Sequence, residues 1–191
     1  MKKQNNLILD YSKIIQENIE YLEKDLGLNW VYRKGEAFQL LSHITKQFND
    51  ITIIDAGTHY GWSAYCLKEN PKNKVITYDI TDRFNNEYLK AVSNVEVKIL
   101  DINKEDHQII HSAEVIYLDI DPHDGLQEKV FTDLLDRIEW QGYLFCDDIH
   151  INSGMENWWN SINLDKYDLT EVGHTHGTGL VTYNREISII K

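Results

Sequence analysis

Five short runs along the chain shift the spacing of apolar residues from helical to extended. They are ITIID (51–55), KVITYDI (74–80), VEVKILD (95–101), EVIYLDI (114–120) and GYLFCDD (142–148), and most of them end on an acid. Their β-branched and aromatic content suits a pleated surface. The segments 61–69, roughly 85–91, 104–111 and 126–139 between them read as helices, the last with Leu126, Val130, Leu134 and Ile138 on one face. Strands alternating with helices of this length predict right-handed crossovers and a parallel sheet covered on both sides. The unbroken apolar stretches VIYL and YLFC fit strands buried on both faces. Upstream, Ile15, Ile19, Leu22 and Leu26 predict one helix closed by Gly27, and Ala37, Leu40, Leu41, Ile44 and Phe48 a second. Downstream, YDLTEVG and TGLVTYN, joined by HTHG, predict an antiparallel hairpin.

An open parallel sheet takes ligands outside the carboxyl ends of its strands. The acid-terminated strands therefore aim their carboxylates at one rim, and YLDIDPHDG (117–125) belongs to it. In IIDAGTHYGWSAYCL (53–67), Gly57 and Gly61 stand four apart between a strand and a helix, with Ser63 following. Glycines there allow a tight turn and close approach to a ligand, with helix amides as donors. The spacing is GxxxGxS rather than GxGxxG, which supports a pyrophosphate site poorly. Asp55, just before the turn, would repel a pyrophosphate but suits an amino group. Asp79 ends the next strand, where an acid can accept hydrogen bonds from a ribose diol, and Asp101 ends the third. An amino group, a sulfonium and a ribose together describe S-adenosylmethionine (SAM).

Over about residues 36–184 the sequence resembles the class I SAM-dependent methyltransferases, with DAGTHYGWS, TYDI and LDI (100–102) as its successive cofactor motifs. The resemblance implies an α/β Rossmann-like fold: a seven-stranded, mostly parallel sheet with helices on both faces and a C-terminal antiparallel hairpin. It implies that Asp55, Gly57 and Ser63 line the methionine end, Asp79 the ribose, and Asp101 with Ile102 the adenine edge, with Thr58, Gly61 and Asp119 also among the cofactor-binding residues.

LDIDPHDG and CDDIH, on the fourth and fifth strands, are similar to the cation-dependent O-methyltransferases of the catechol, caffeoyl-CoA and macrolide-sugar types. That similarity implies Asp119, Asp147 and Asp148 as ligands for Mg²⁺ or another divalent cation, a choice that oxygen donors favour. An ion holding a hydroxyl lowers its pKa beside the methyl donor. One departure is clear. The catechol and caffeoyl-CoA types carry a lysine three residues after the first Asp, where this chain has Pro122. His123 follows and is the favoured general base, with His150 as its rival.

Blander readings stay open beside these. Asp147 and Asp148 could cap the following helix, and His123 could be an ordinary loop histidine. The two histidines of HTH (174–176) read better as hairpin-loop residues than as metal ligands. Trp158 and Trp159 could stack a substrate ring or simply pack, Tyr32, Arg33 and Lys34 could belong to a lid, and Cys66 and Cys146 read as core residues.

The chain has 191 residues, 42% of them hydrophobic and 26% charged, with a net charge of −12. Such a charge argues against nucleic acid and membrane surfaces, which need clustered Lys and Arg. Length predicts a single domain (1–191), with helices in 1–49 forming part of a substrate cap over a SAM-binding core in 50–191. Two cysteines make no disulfide framework, and Leu7-Ile8-Leu9 is too short an apolar run for a signal peptide. The expectation is a cytoplasmic protein acting on a small hydroxylated substrate, a sugar or a phenol. So short a cap must be small or supplied by a second subunit, which makes a homodimer one expectation. A metal-independent N- or O-methyltransferase and a SAM- or nucleotide-binding module without transfer activity are the alternatives. The glycine spacing and Asp55 disfavour an NAD-dependent oxidoreductase.

Overall fold

Alternation within each central strand sends neighbouring side chains into two different cores. Ile53, Val75, Val115, Tyr143 and Phe145 enter one, while Ile54, Ile76, Ile116, Leu144 and Cys146 enter the other. Both faces of the sheet are therefore sealed, and its ligand-accessible region is the rim at the strand ends. The computed structural model describes residues 6–27, 36–82 and 87–191. The expected lid residues Tyr32, Arg33 and Lys34, and the start of the helix expected at 85–91, lie outside them.

The strands are β1 (Leu7–Asp10), β2 (Thr52–Ala56), β3 (Lys74–Asp79), β4 (Val95–Ile99), β5 (Ala113–Leu118), β6 (Gly142–Cys146), β7 (Lys166–Asp168), β8 (Gly179–Tyr183) and β9 (Ile187–Ile190). Seven of them form one sheet in the order β4-β3-β2-β5-β6-β8-β7. Its strands run parallel except β8, which lies antiparallel to both β6 and β7. The order reverses between β2 and β5, the switch point at which such sheets take ligands. The expected hairpin exists, but its arms are shorter and the histidines sit inside a longer connection, 169–178, between β7 and β8.

Among the described residues the helices are α1 (Tyr11–Ile15), α2 (Glu20–Leu26), α3 (Phe38–Thr45), α4 (Trp62–Leu67), α5 (Glu87–Lys90), α6 (His107–Ser112), α7 (Leu126–Arg137) and α8 (Ser153–Ser161). A single 3₁₀ turn, Ile102–Lys104, starts behind Asp101. The second predicted helix is α3, and Ala37, Leu40, Leu41, Ile44 and Phe48 are all buried.

Two helix expectations are corrected, and one strand is added. The first helix is broken into α1 and α2, with Gly27 closing α2 in a left-handed conformation and Ile15 facing solvent. Leu7-Ile8-Leu9 is strand β1, paired in parallel with β9. In α7 the face toward the core is also different. Leu126 and Val130 are 65% and 50% exposed, whereas Phe131, Leu134 and Leu135 are buried. Phe131 and Leu135, one turn apart, present the larger apolar surface and take the core side. Trp158 and Trp159 are buried beside them, and the Trp159 ring covers Gly179, so both are core residues. Cys66 and Cys146 are fully buried, as expected. Among the described residues no helix is long and apolar enough to cross a membrane.

The face of α7 can be tested directly. Phe131→Ala should cost about 3–5 kcal/mol in urea denaturation, and Val130→Ser no more than about 0.5 kcal/mol. Equal losses would return the face to the Leu126–Val130 side.

Candidate functional site

Backbone hydrogen bonds step the strand ends across the rim. The amides of Gly57 and Thr58 donate to the Tyr78 carbonyl at 2.8 and 2.9 Å, Asp119 N–H donates to Ala56 at 2.8 Å, and Asp147 N–H to Leu118 at 2.9 Å. Gly57 sits at φ +110°, and a Cβ there would overlap the Asp119 carbonyl oxygen. Only glycine allows the loop after β2 to lie this close to the end of β5.

A cleft of about 450 Å³ opens at this switch point, a size that suits a small ligand. Gly57, His59, Asp79, Asp101, Ile102, Asp119 and His123 line it. His59 N–H donates to Asp79 Oδ2 at 2.9 Å, tying the glycine loop to the end of β3. Asp101 accepts from Asn103 N–H at 3.0 Å and so caps the 3₁₀ turn that presents buried Ile102. The structure thus brings Asp79, Asp101, Ile102 and Asp119 together at one cavity.

Asp55, Thr58, Gly61 and Ser63 are not among the residues that line it. Asp55 and Thr58 are buried behind the loop, joined by Thr77: Thr77 Oγ1 donates to Asp55 Oδ2 at 2.6 Å, and Thr58 Oγ1 lies 2.6 Å from Thr77 Oγ1. Asp55 Oδ1 is buried with no hydrogen-bond partner. Burial pushes the Asp55 carboxyl up to about 6, against the lowering influence of the Thr77 and Ser63 hydroxyls.

Beyond Asp119 the rim turns into a mixed cluster of acids and histidines. His123 Nε2 lies 3.8 Å from Asp119 Oδ1, 3.5 Å from Asp121 Oδ1 and 3.8 Å from Asp148 Oδ2. His150 is turned elsewhere, with Nε2 2.8 Å from Asp168 Oδ2. His174, which the sequence reading left in a plain loop, reaches the acid pair: Nδ1 is 3.3 Å from Asp147 Oδ2 and 3.0 Å from Asp148 Oδ1. Glu36, just ahead of α3, approaches His174 Nε2 at 4.0 Å. The only hint of this in the sequence is the HTH spacing itself, because Glu36 and His174 meet through the fold alone.

Among the described residues, three groups bring one ligand atom from each member to within 4.8 Å: Asp119–His123–Asp148, Asp148–His174–His176 and Glu36–Asp147–His174. Each mixes acid and imidazole. Burial, then the neighbouring Asp147 and Asp148 charges, push the Asp119 carboxyl well above its usual range. Burial would also raise Asp148, but His174, helped by His123 and His176, outweighs it and holds that carboxyl below its ordinary value. Burial alone would lower the His174 imidazole; Asp147, Asp148 and Glu36 raise it instead, to about 11.

Solved structures similar to this fold include SAM-dependent methyltransferases. A methyltransferase of Podospora anserina bound to S-adenosylhomocysteine matches with a TM-score of 0.62 at 11% identity, covering 87% of each chain. A Staphylococcus aureus protein assigned as a caffeoyl-CoA O-methyltransferase gives 0.64 at 11% identity, over 89% of this chain and 94% of that one. A SAM-dependent methyltransferase of Aquifex aeolicus gives 0.55 at 20% identity, over 91% of this chain and 98% of that one. No family model matches the chain, and no curated protein does. The fold is that of the class I methyltransferases, as the sequence pattern predicts.

The buried Asp55 makes stability depend on pH. The folded carboxyl keeps its proton up to about pH 6, against an ordinary value of 3.8, so stability falls as pH rises across that window and levels off above it. Asp55→Asn removes that loss. Its stability advantage over wild type in urea should be small at pH 4 and grow toward about 3 kcal/mol at pH 7. An advantage that does not change with pH would place the ionisation elsewhere.

Proposed function

We propose that the chain is a SAM-dependent methyltransferase that moves a methyl group to a hydroxyl of a small molecule, a sugar or a phenol, with a divalent cation held by Asp119, Asp147 and Asp148. The observation that carries this reading is the adjacency of two chemistries at one switch point. Asp79, Asp101 and Ile102 line the cleft at one end, and Asp119 and His123 at the other. The cleft's donor set fits SAM: among the described residues Asp79 accepts the backbone amides of His59 and Thr81 and retains lone pairs for ribose hydroxyls, while Asp55, expected at the ammonium group, is buried behind the loop. A cation finds donors here too: Asp119 and Asp148 bring ligand atoms together with His123, while Asp147, on the same rim, groups with Glu36 and His174.

SAM supplies an electrophilic methyl on a positively charged sulfur, and a bound cation lowers the pKa of a coordinated hydroxyl. The chain's own residues do the rest. Ile102 offers an apolar edge to the adenine, and Asp79 fixes the ribose and thereby the direction of the methyl. His123 Nε2, facing the cleft among Asp119, Asp121 and Asp148, takes the acceptor's proton. His150 is engaged with Asp168 and is the weaker candidate. Glu36 beside His174 supports the view that the segment ahead of the core contributes to the cap over the acceptor.

One observation favours a second, metal-independent reading. His174, held protonated between Asp147 and Asp148, can itself offset the acids.

Calorimetry should detect binding of SAM and S-adenosylhomocysteine but not NAD, and Asp79→Ala should weaken SAM by about 10–100-fold. NAD binding alone would overturn the cofactor reading. With methyl-labelled SAM and a panel of catechols, phenols and sugars, Asp119→Ala and Asp148→Ala should abolish transfer while SAM still binds. His123→Gln should lower kcat by about 10²–10⁴-fold. Full turnover in excess EDTA would select the metal-independent reading.

A further inference from the structure

The two oxygens of Asp148 face different neighbours. Oδ2 looks toward His123, in the group shared with Asp119, whereas Oδ1 lies 3.0 Å from His174 Nδ1 and 3.6 Å from His176 Nδ1. The Asp148 side chain is only 9% exposed, yet its Oδ1 makes no hydrogen bond, and neither does His174 Nδ1. The two buried atoms are paired by charge without an aligned hydrogen bond, and both would turn to a metal that displaces the proton of His174, as metal binding to imidazole requires. Ligand atoms around a tetrahedral Zn²⁺, each roughly 2.0–2.1 Å from the ion, lie about 3.3 Å from one another. The observed separations of 3.0 and 3.6 Å bracket that spacing.

The loop that carries the two histidines is fastened to the end of β6. His174 N–H donates to Thr178 Oγ1 at 2.7 Å, and Thr178 Oγ1 in turn approaches Asp147 Oδ1 at 3.4 Å. His150 N–H donates to the His176 carbonyl at 2.8 Å, and Ile149 N–H to Gly177 at 3.2 Å. The backbone that carries the two histidines is therefore fixed by the protein's own bonds, which limits the reorganisation a ligand set there would need. Nitrogen donors also select among cations: Mg²⁺ and Ca²⁺ take oxygen, while imidazole suits Zn²⁺ and its transition-metal neighbours.

We propose that Asp148, His174 and His176 form a binding site for a nitrogen-preferring divalent metal such as Zn²⁺, distinct from the group of Asp119, His123 and Asp148, which carries one imidazole rather than two. Asp147 Oδ2, 3.3 Å from His174 Nδ1, adjoins it as a further oxygen donor. Asp148 then bridges the two positions, one oxygen to each. The site requires no methyl transfer, and it stands or falls on metal binding alone.

The test uses the full chain without an affinity tag, stripped with EDTA and titrated separately with Zn²⁺, Co²⁺ and Mg²⁺. One Zn²⁺ per chain should bind at least about 100-fold more tightly than Mg²⁺, and Co²⁺ should develop the visible absorption of a nitrogen-ligated ion. His174→Ala and His176→Ala should each weaken Zn²⁺ at least about 10-fold and leave Mg²⁺ unchanged, while His111→Ala on α6 changes neither. His176 is 59% exposed, so its replacement removes a ligand at little cost to the fold. SAM affinity, measured on each variant, reports that the fold is intact. Zn²⁺ binding no tighter than Mg²⁺, or unaltered by both histidine replacements, overturns the proposal. Failure of wild-type protein to bind SAM would count against the methyltransferase reading and leave this site standing.

Discussion

The contact between Gly57 and the Asp119 backbone sets the geometry of the whole rim. No side chain fits between them, so the loop after β2 rests directly against the end of β5. The Asp119 amide closes the same gap by donating to Ala56. Because β2 and β5 are the strands between which the order reverses, this single approach decides how far apart the two halves of the cleft stand. Asp79 and Asp101 on one side, and Asp119 with its histidine neighbours on the other, take their spacing from it.

The acidic rim carries an electrostatic cost that the fold answers locally. The chain bears a net charge of −12, and Asp119, Asp147 and Asp148 end adjacent strands. Carboxylates this close raise one another's affinity for protons unless positive charge lies between them. Asp148 escapes because three imidazoles surround it, whereas Asp119, with less compensation, is pushed upward. The difference separates two kinds of position along one rim: an acid whose charge the neighbouring imidazoles favour, and one whose charge depends on whatever binds next to it.

The sheet was legible because its signal is local. The core strands are short β-branched or aromatic runs, most of them closed by an acid, and the right-handed crossover rule leaves few ways to order such strands. The helix face of α7 was misread because Leu126–Val130 and Phe131–Leu135 share the same spacing, and packing rather than periodicity chose between them. Strand β1 was missed because four residues mean little without a partner, and its partner β9 lies at the other end of the chain. The candidate site divides the same way. Asp79, Asp101 and Asp119 were readable as strand ends. The approach of His174 to Asp147 and Asp148 depends on how a ten-residue connection folds back on β6, through bonds such as Thr178 to Asp147 that no local pattern announces.

The most direct test of this account is a crystal structure of the chain with S-adenosylhomocysteine and Mn²⁺, read by anomalous scattering at the manganese edge. The account predicts the nucleoside between Asp79 and Asp101, and a manganese peak bounded by Asp119 and the Oδ2 side of Asp148. A nucleoside bound away from the Gly57 loop, or a cleft that takes neither ligand while the fold is intact, would contradict it.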